Sequence, residues 1–280
     1  MADSNGSIGL IAGQGELPLI VARGMHAAGR RVCCVGLRDQ FDPALPELCD
    51  GFRTANIVQL GRWMRLLRGW DVHEAVMVGG VKKTRMHDPL RFFRQIPDWR
   101  AAVIWYRRLR HDRRTPALLA AVADELRHNG ITLIDSTTYI PDHMAGAGVL
   151  GSTQPTEQQR ADIDFGWPLL REVVELHVGQ SMAVRDRDVL AVEAVEGTDA
   201  MLERAGALCR AKGWTLLKTA STDHDMRADV PTIGVGTIER MASLGGGCIA
   251  VGAGRVILVN RPKVLEAADR AGIAIVGVES

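Results

Sequence analysis

Residues 219–229, Thr-Ala-Ser-Thr-Asp-His-Asp-Met-Arg-Ala-Asp, include one apolar side chain larger than alanine and follow a strand-like run, Thr215-Leu216-Leu217-Lys218. The segment brings three carboxylates, Asp223, Asp225 and Asp229, together with Arg227, His224 and the preceding Lys218. Closely spaced carboxylates are hard oxygen ligands for Mg²⁺ or Mn²⁺, and Lys and Arg beside them complement phosphate. This reads as metal-assisted phosphoryl chemistry. The competing reading is a solvated loop whose opposite charges neutralise one another.

A second candidate is Ala12-Gly13-Gln14-Gly15-Glu16-Leu17-Pro18, which joins an apolar run to a helical pattern. Glycines there let backbone approach a phosphate or nucleotide, and the following helix N-terminus adds positive potential. Pro18 stands where a dinucleotide fingerprint has its third glycine, so a nucleotide other than NAD fits better; a purely structural strand-to-helix turn is the alternative. Val78-Gly79-Gly80 and Asp135-Ser136-Thr137-Thr138 also follow strand-like runs, and Gly80 and Thr137 are taken as substrate contacts at the same sheet edge. Later in the chain, Gly179-Gln180-Ser181, Glu193 and Glu196-Gly197-Thr198-Asp199 flank a hairpin pattern. Thr198 and Asp199 could equally cap the next helix. The motifs of serine hydrolases, zincins and Walker NTPases are missing.

These residues need a scaffold. Apolar runs at 8–12, 31–36, 75–78 and 131–134 alternate with helical patterns at 17–28, 57–67 and 116–128. That alternation predicts a Rossmann-like open, mostly parallel sheet over residues 1–143. A Gly-, Pro- and Ser-rich stretch, 144–155, is read as a linker, and 156–280 as a catalytic α+β domain with a hairpin around Asp186-Arg187-Asp188. A length of 280 residues is near the limit for one core, which favours two domains.

The composition, 46% hydrophobic and 24% charged, is that of a globular protein, and no run approaches 18 apolar residues. With no basic and apolar leader at the start, the chain is expected in the cytoplasm. Its five cysteines form no C-x-x-C pair and are read as core thiols. Net charge is +1, yet residues 81–114 carry eleven Lys or Arg against three Asp, and five of the thirteen aromatic residues. Such a stretch suits an anionic membrane surface or a lipid-like phosphate ligand; a nucleic-acid contact and a solvated face remain open.

Taken together, the segments 12–18, 179–181, 192–201 and Lys218 with 225–234 resemble the UDP-2,3-diacylglucosamine diphosphatases of lipid A biosynthesis, the type distinct from the calcineurin-like metallophosphoesterases. The resemblance implies Mg²⁺-dependent hydrolysis of the pyrophosphate in UDP-2,3-diacylglucosamine to UMP and 2,3-diacylglucosamine 1-phosphate (lipid X), with water attacking the phosphorus on the sugar side. It implies two domains closing over the lipid, and an enzyme peripheral to the inner membrane. On this reading Asp225, with Asp223 or Asp229, holds the metal and orients water; Lys218 and Arg227 stabilise the transferring phosphoryl group. Ala12, Gly13, Gln14, Gly15, Gly80, Thr137, Gln180, Glu193, Glu196, Gly197, Thr198 and Asp199 contact substrate. Arg113-Arg114-Thr115-Pro116 stands where family members often carry a Gly-Asp-Asp. A homodimer is expected by base rate and no nucleic acid as partner. A dinucleotide-binding oxidoreductase and a non-catalytic nucleic-acid binder are the alternatives.

Overall fold

The structure is a computed structural model that describes residues 6–80, 99, 115–227 and 229–279. The basic segment at 81–114 lies outside the described residues except for Trp99. By contacts the chain divides into two compact units, residues 1–140 with 225–229, and residues 141–224 with 230–280.

The first unit contains β1 (Ser7–Ala12), α1 (Leu17–Ala27), β2 (Arg31–Leu37), β3 (Gly51–Ala55), α2 (Leu60–Gly69), β4 (Glu74–Val78), α3 (Thr115–His128) and β5 (Thr132–Leu133). The strands form a five-stranded sheet, β3-β2-β1-β4-β5, in which every pairing is parallel. This is the open, Rossmann-like sheet expected from the alternation. β3 had no counterpart in the sequence reading, because Gly-Phe-Arg-Thr-Ala at a sheet edge lacks an apolar run. The β2 residues Val32, Cys33, Cys34 and Val35 are fully buried, as a strand covered on both faces requires. Leu60, Trp63, Met64 and Leu67 form the buried stripe of α2 at helical spacing and pack, with Leu126 of α3, into one core.

The second unit contains β6 (Gly148–Val149), α4 (Glu157–Glu175), β7 (Ser181–Arg185), β8 (Asp188–Val192), α5 (Thr198–Leu208), β9 (Trp214–Lys218), β10 (Thr232–Ile233), α6 (Val235–Leu244), β11 (Gly246–Gly252), β12 (Ile257–Leu258), α7 (Arg261–Ala271) and β13 (Ala274–Val278). Its six-stranded sheet runs β6-β13-β11-β9-β7-β8, parallel at the centre from β13 to β9 and antiparallel at both edges. Alternation along β9 sends Trp214 and Leu216 into one core with α5, α6 and α7, and Leu217 into the other, under α4. Thr156 and Gln159 close a capping box that starts α4. The hairpin turn is two residues, Asp186 and Arg187, both left-handed with φ of 53° and 58°, the twist-compatible type I′ geometry. Asp188, read as part of the turn, is already in β8.

The stretch 144–155 is not a free connector. β6 pairs with β13, Ala145 N donates to Val256 O, and the Ser152 and Thr153 N–H groups donate to Asp269 of α7. Gly-, Pro- and Ser-rich composition marks irregular backbone, and here that backbone is hydrogen-bonded into the second unit. Among the cysteines, Cys33, Cys34 and Cys248 are buried thiols; burial pushes Cys248 up to about 12. Among the described residues no helix is long and apolar enough to cross a membrane.

Candidate active site

In the first unit the sheet reverses its winding between β1 and β4, the switch point at which open α/β sheets bind ligands. The turns after these strands meet there. Gly13 N donates to Val78 O at 2.8 Å, Gln14 N to Gly80 O at 2.8 Å, and Gly80 N to Gln14 O at 2.9 Å. A Cβ at Gly13 would sit 2.5 Å from Gly80 O and 2.8 Å from Gly79 O, so glycine is what lets the two backbones touch. Gly13 and Gln14 thus give their N–H groups to protein carbonyls. Ala12 is buried at the end of β1, while Gly15 is exposed with a φ of 97°.

Beyond β5, Asp135 Oδ1 accepts from Thr137 N and Thr137 Oγ1, each at 2.7 Å, an Asx turn that occupies Thr137. Ser136, 2% exposed, donates from N at 3.0 Å and from Oγ at 2.8 Å to Met226 O. This pair of hydrogen bonds anchors the turn bearing Asp225 and Arg227. The two side chains form a bidentate pair, Nε to Oδ1 at 2.8 Å and Nη2 to Oδ2 at 2.6 Å, which raises the Arg227 pKa above its ordinary value. From sequence, Ser136 stands in this tetrad without a role of its own, and the substrate contact is assigned to Thr137.

Both Asp225 oxygens therefore face a guanidinium. Asp229 is exposed in the first unit and Asp223 exposed in the second. Among the described residues no three His, Cys, Asp or Glu side chains gather as a cation site. In this arrangement the trio named from sequence does not fit a ready-made divalent-metal cradle.

In the second unit the segment after β9 is less solvated than its composition suggested: Thr219, Ala220 and Ser221 are buried. Lys218, the last residue of β9, stands opposite Ser181, the first of β7, in antiparallel register. Lys218 is 6% exposed and Ser181 0%. Lys218 Nζ donates to Thr198 Oγ1 at 2.9 Å, Thr198 Oγ1 donates to Glu193 Oε1 at 3.1 Å, and Ser181 Oγ donates to Glu193 Oε2 at 2.5 Å. Thr198 is not the helix cap: Gly197 takes that place with a φ of 84°, and no side chain caps α5. The first-turn N–H groups of a helix have no intrahelical acceptor, so a buried ammonium and a helix N-terminus here bring together donors of the kind that suit phosphoryl oxygens, with the Glu193 carboxylate behind them. Gln180 O accepts from Thr219 N at 3.1 Å. Glu196 and Asp199 turn outward to Arg204 at 3.1 Å and Arg240 at 3.5 Å.

The model of the LpxI N-terminal domain matches residues 7–143, and that of the LpxI C-terminal domain matches residues 146–276. The chain belongs to the LpxI family. A curated LpxI protein of Caulobacter vibrioides, a UDP-2,3-diacylglucosamine pyrophosphatase, is 34% identical over 280 residues, covering 97% of each chain. The two LpxI domain matches meet within the Gly- and Pro-rich stretch and follow the two units of the fold except at residues 225–229, which lie in the C-terminal match but belong to the first unit.

Proposed function

We propose that the chain is a hydrolase that cleaves the pyrophosphate bond of UDP-2,3-diacylglucosamine to UMP and 2,3-diacylglucosamine 1-phosphate (lipid X), in lipid A biosynthesis. The observation that carries this reading is the full-length identity to the Caulobacter vibrioides pyrophosphatase. The buried Lys218 beside the α5 N-terminus supports it independently, because charge grows on phosphoryl oxygens in the transition state. Water forms the new bond to the sugar-side phosphorus, the bridging P–O bond breaks, and its oxygen leaves with UMP. Lys218 and Arg227 stabilise the phosphoryl group and Asp225 orients the water. Gly15, Gly80, Gln180, Glu196, Gly197 and Asp199 are the proposed substrate contacts, while Glu193 and Thr198 stand behind Lys218. Gly13, Gln14 and Thr137 contribute through turn geometry, given where their hydrogen bonds go.

The dinucleotide oxidoreductase loses its support, since Pro18 lies in the first turn of α1 where the fingerprint needs glycine. Dependence on Mg²⁺ or Mn²⁺ rests on the family resemblance and on the carboxylates of the 223–229 segment, not on a preformed cradle. The test is UMP release by purified protein. Release should require Mg²⁺ or Mn²⁺, stop in excess EDTA and return when metal is added back. Full release in EDTA removes the metal from the proposal, and no release under any condition removes the activity. A homodimer that sits peripherally on the inner membrane from the cytoplasmic side completes the proposal, with the basic, aromatic segment 81–114 as its membrane contact.

A further inference from the structure

The side chains at the β7–β9 end of the second unit form a hydrogen-bond chain with a fixed direction. An ammonium group has donors only, so Thr198 Oγ1, 2.9 Å from Lys218 Nζ, accepts at that link. Its single proton is then directed to Glu193 Oε1 at 3.1 Å. Ser181 Oγ, buried at the start of β7, donates to the other carboxylate oxygen at 2.5 Å. An ionised carboxylate only accepts, so neither hydroxyl can reverse its role. The backbone adds to this rigidity: Glu193 N donates to Ser181 O at 2.9 Å, and Ser181 pairs with Lys218 in the ladder. Gly197, with a φ of 84°, swings the chain so that Thr198 begins α5 with its hydroxyl on Lys218 instead of on its own helix.

We propose that Ser181, Glu193 and Thr198 are positioning residues that aim the Lys218 ammonium group at the transferring phosphoryl group. Glu193 supplies the counter-charge through the Thr198 hydroxyl, and the register of Lys218 with Ser181 fixes the strand end from which the ammonium group extends. This rests on the pyrophosphatase reading above and adds to it an ordered relay with Ser181 as a member. A relay of this kind acts on the rate of the chemical step more than on affinity, because the interaction it perfects strengthens in the transition state.

The experiment compares wild type, Thr198→Val, Thr198→Ser and Glu193→Gln by kcat and KM for UDP-2,3-diacylglucosamine, with thermal denaturation of each. Valine keeps the branched shape and removes both hydrogen-bonding roles; serine keeps the roles and removes a methyl group. Expected are a kcat loss of about tenfold or more in Thr198→Val with KM within about twofold, and recovery of most of that loss in Thr198→Ser. A merely structural threonine would give the opposite order, since serine leaves the larger packing defect. Thr198→Val within about tenfold of wild type, or Thr198→Ser no better than Thr198→Val, overturns the relay. Should Thr198→Val not fold, Glu193→Gln carries the same expectation and the same threshold. A wild-type protein that releases no UMP overturns the pyrophosphatase reading and the relay together, a result distinct from active wild type with active Thr198→Val.

Discussion

An ammonium group removed from water is stable only where its donors find acceptors, and Lys218 at 6% exposure has Thr198 Oγ1 as one of them. Lys218→Met keeps the length of the side chain and is expected to lower kcat by about 10²–10³ in the folded protein, the effect of losing one transition-state donor. Measured kcat within about threefold of wild type would take Lys218 out of the chemistry. Asp225 is expected to behave differently, because it lies on a half-buried turn where a carboxylate can be removed cheaply. Asp225→Ala should abolish hydrolysis and retain substrate binding; residual kcat above roughly a tenth of wild type, about 1.4 kcal/mol of barrier, contradicts its role. At this scale much was legible beforehand. Lys218, Glu193 and Thr198 stood out by type and setting, although nothing in their spacing told that they touch. Ser181 and Ser136 were named only within their segments and given no role: a serine at a strand end becomes informative only when register or a loop contact supplies its partner.

Glycine turns carry the argument at the scale of elements. The β1 and β4 turns approach so closely that Gly13→Ala places a methyl group on two backbone oxygens of the other turn. The expected cost is about 1–3 kcal/mol of stability, read as a lower denaturation midpoint; an unchanged midpoint would contradict the close approach. The same contact shows why a glycine-rich strand-to-helix turn is ambiguous in sequence, since glycines that admit a phosphate and glycines that admit another backbone look alike. The 144–155 segment is ambiguous for a related reason. Its composition is that of a linker, and only its hydrogen bonds to α7 and β13 reveal it as framework. Asp269 makes that tie measurable. The N–H groups of Thr153 and Ser152 hold its pKa below the ordinary 3.8. A carboxylate with a depressed folded-state pKa stabilises the fold fully above its ordinary value and loses that contribution as pH falls through the depressed one. Asp269→Asn is therefore expected to be less stable than wild type near neutrality, with the gap narrowing below pH 3.8. A gap independent of pH would show that these bonds do not depend on the carboxylate charge.

For the whole molecule, the two larger sheets differ in construction: one is parallel and open, and the other is mixed and buries Lys218 at the end of its inner strand β9. The first was readable from alternating apolar runs; of the second, the β7–β8 hairpin was readable but the edge strand β6, two residues long, was not. The uneven charge, +8 over residues 81–114 within a chain of +1, predicts binding to vesicles containing anionic lipid that weakens as salt rises. Equal binding to neutral vesicles would remove the electrostatic contact. The central claim is which bond is cut. Phosphorus NMR of the purified protein with UDP-2,3-diacylglucosamine, Mg²⁺ and ¹⁸O-labelled water tests it most directly. The account predicts that the paired pyrophosphate signals give way to UMP and an isotope-shifted sugar 1-phosphate; persistence of the pair, or UDP as product, would contradict it.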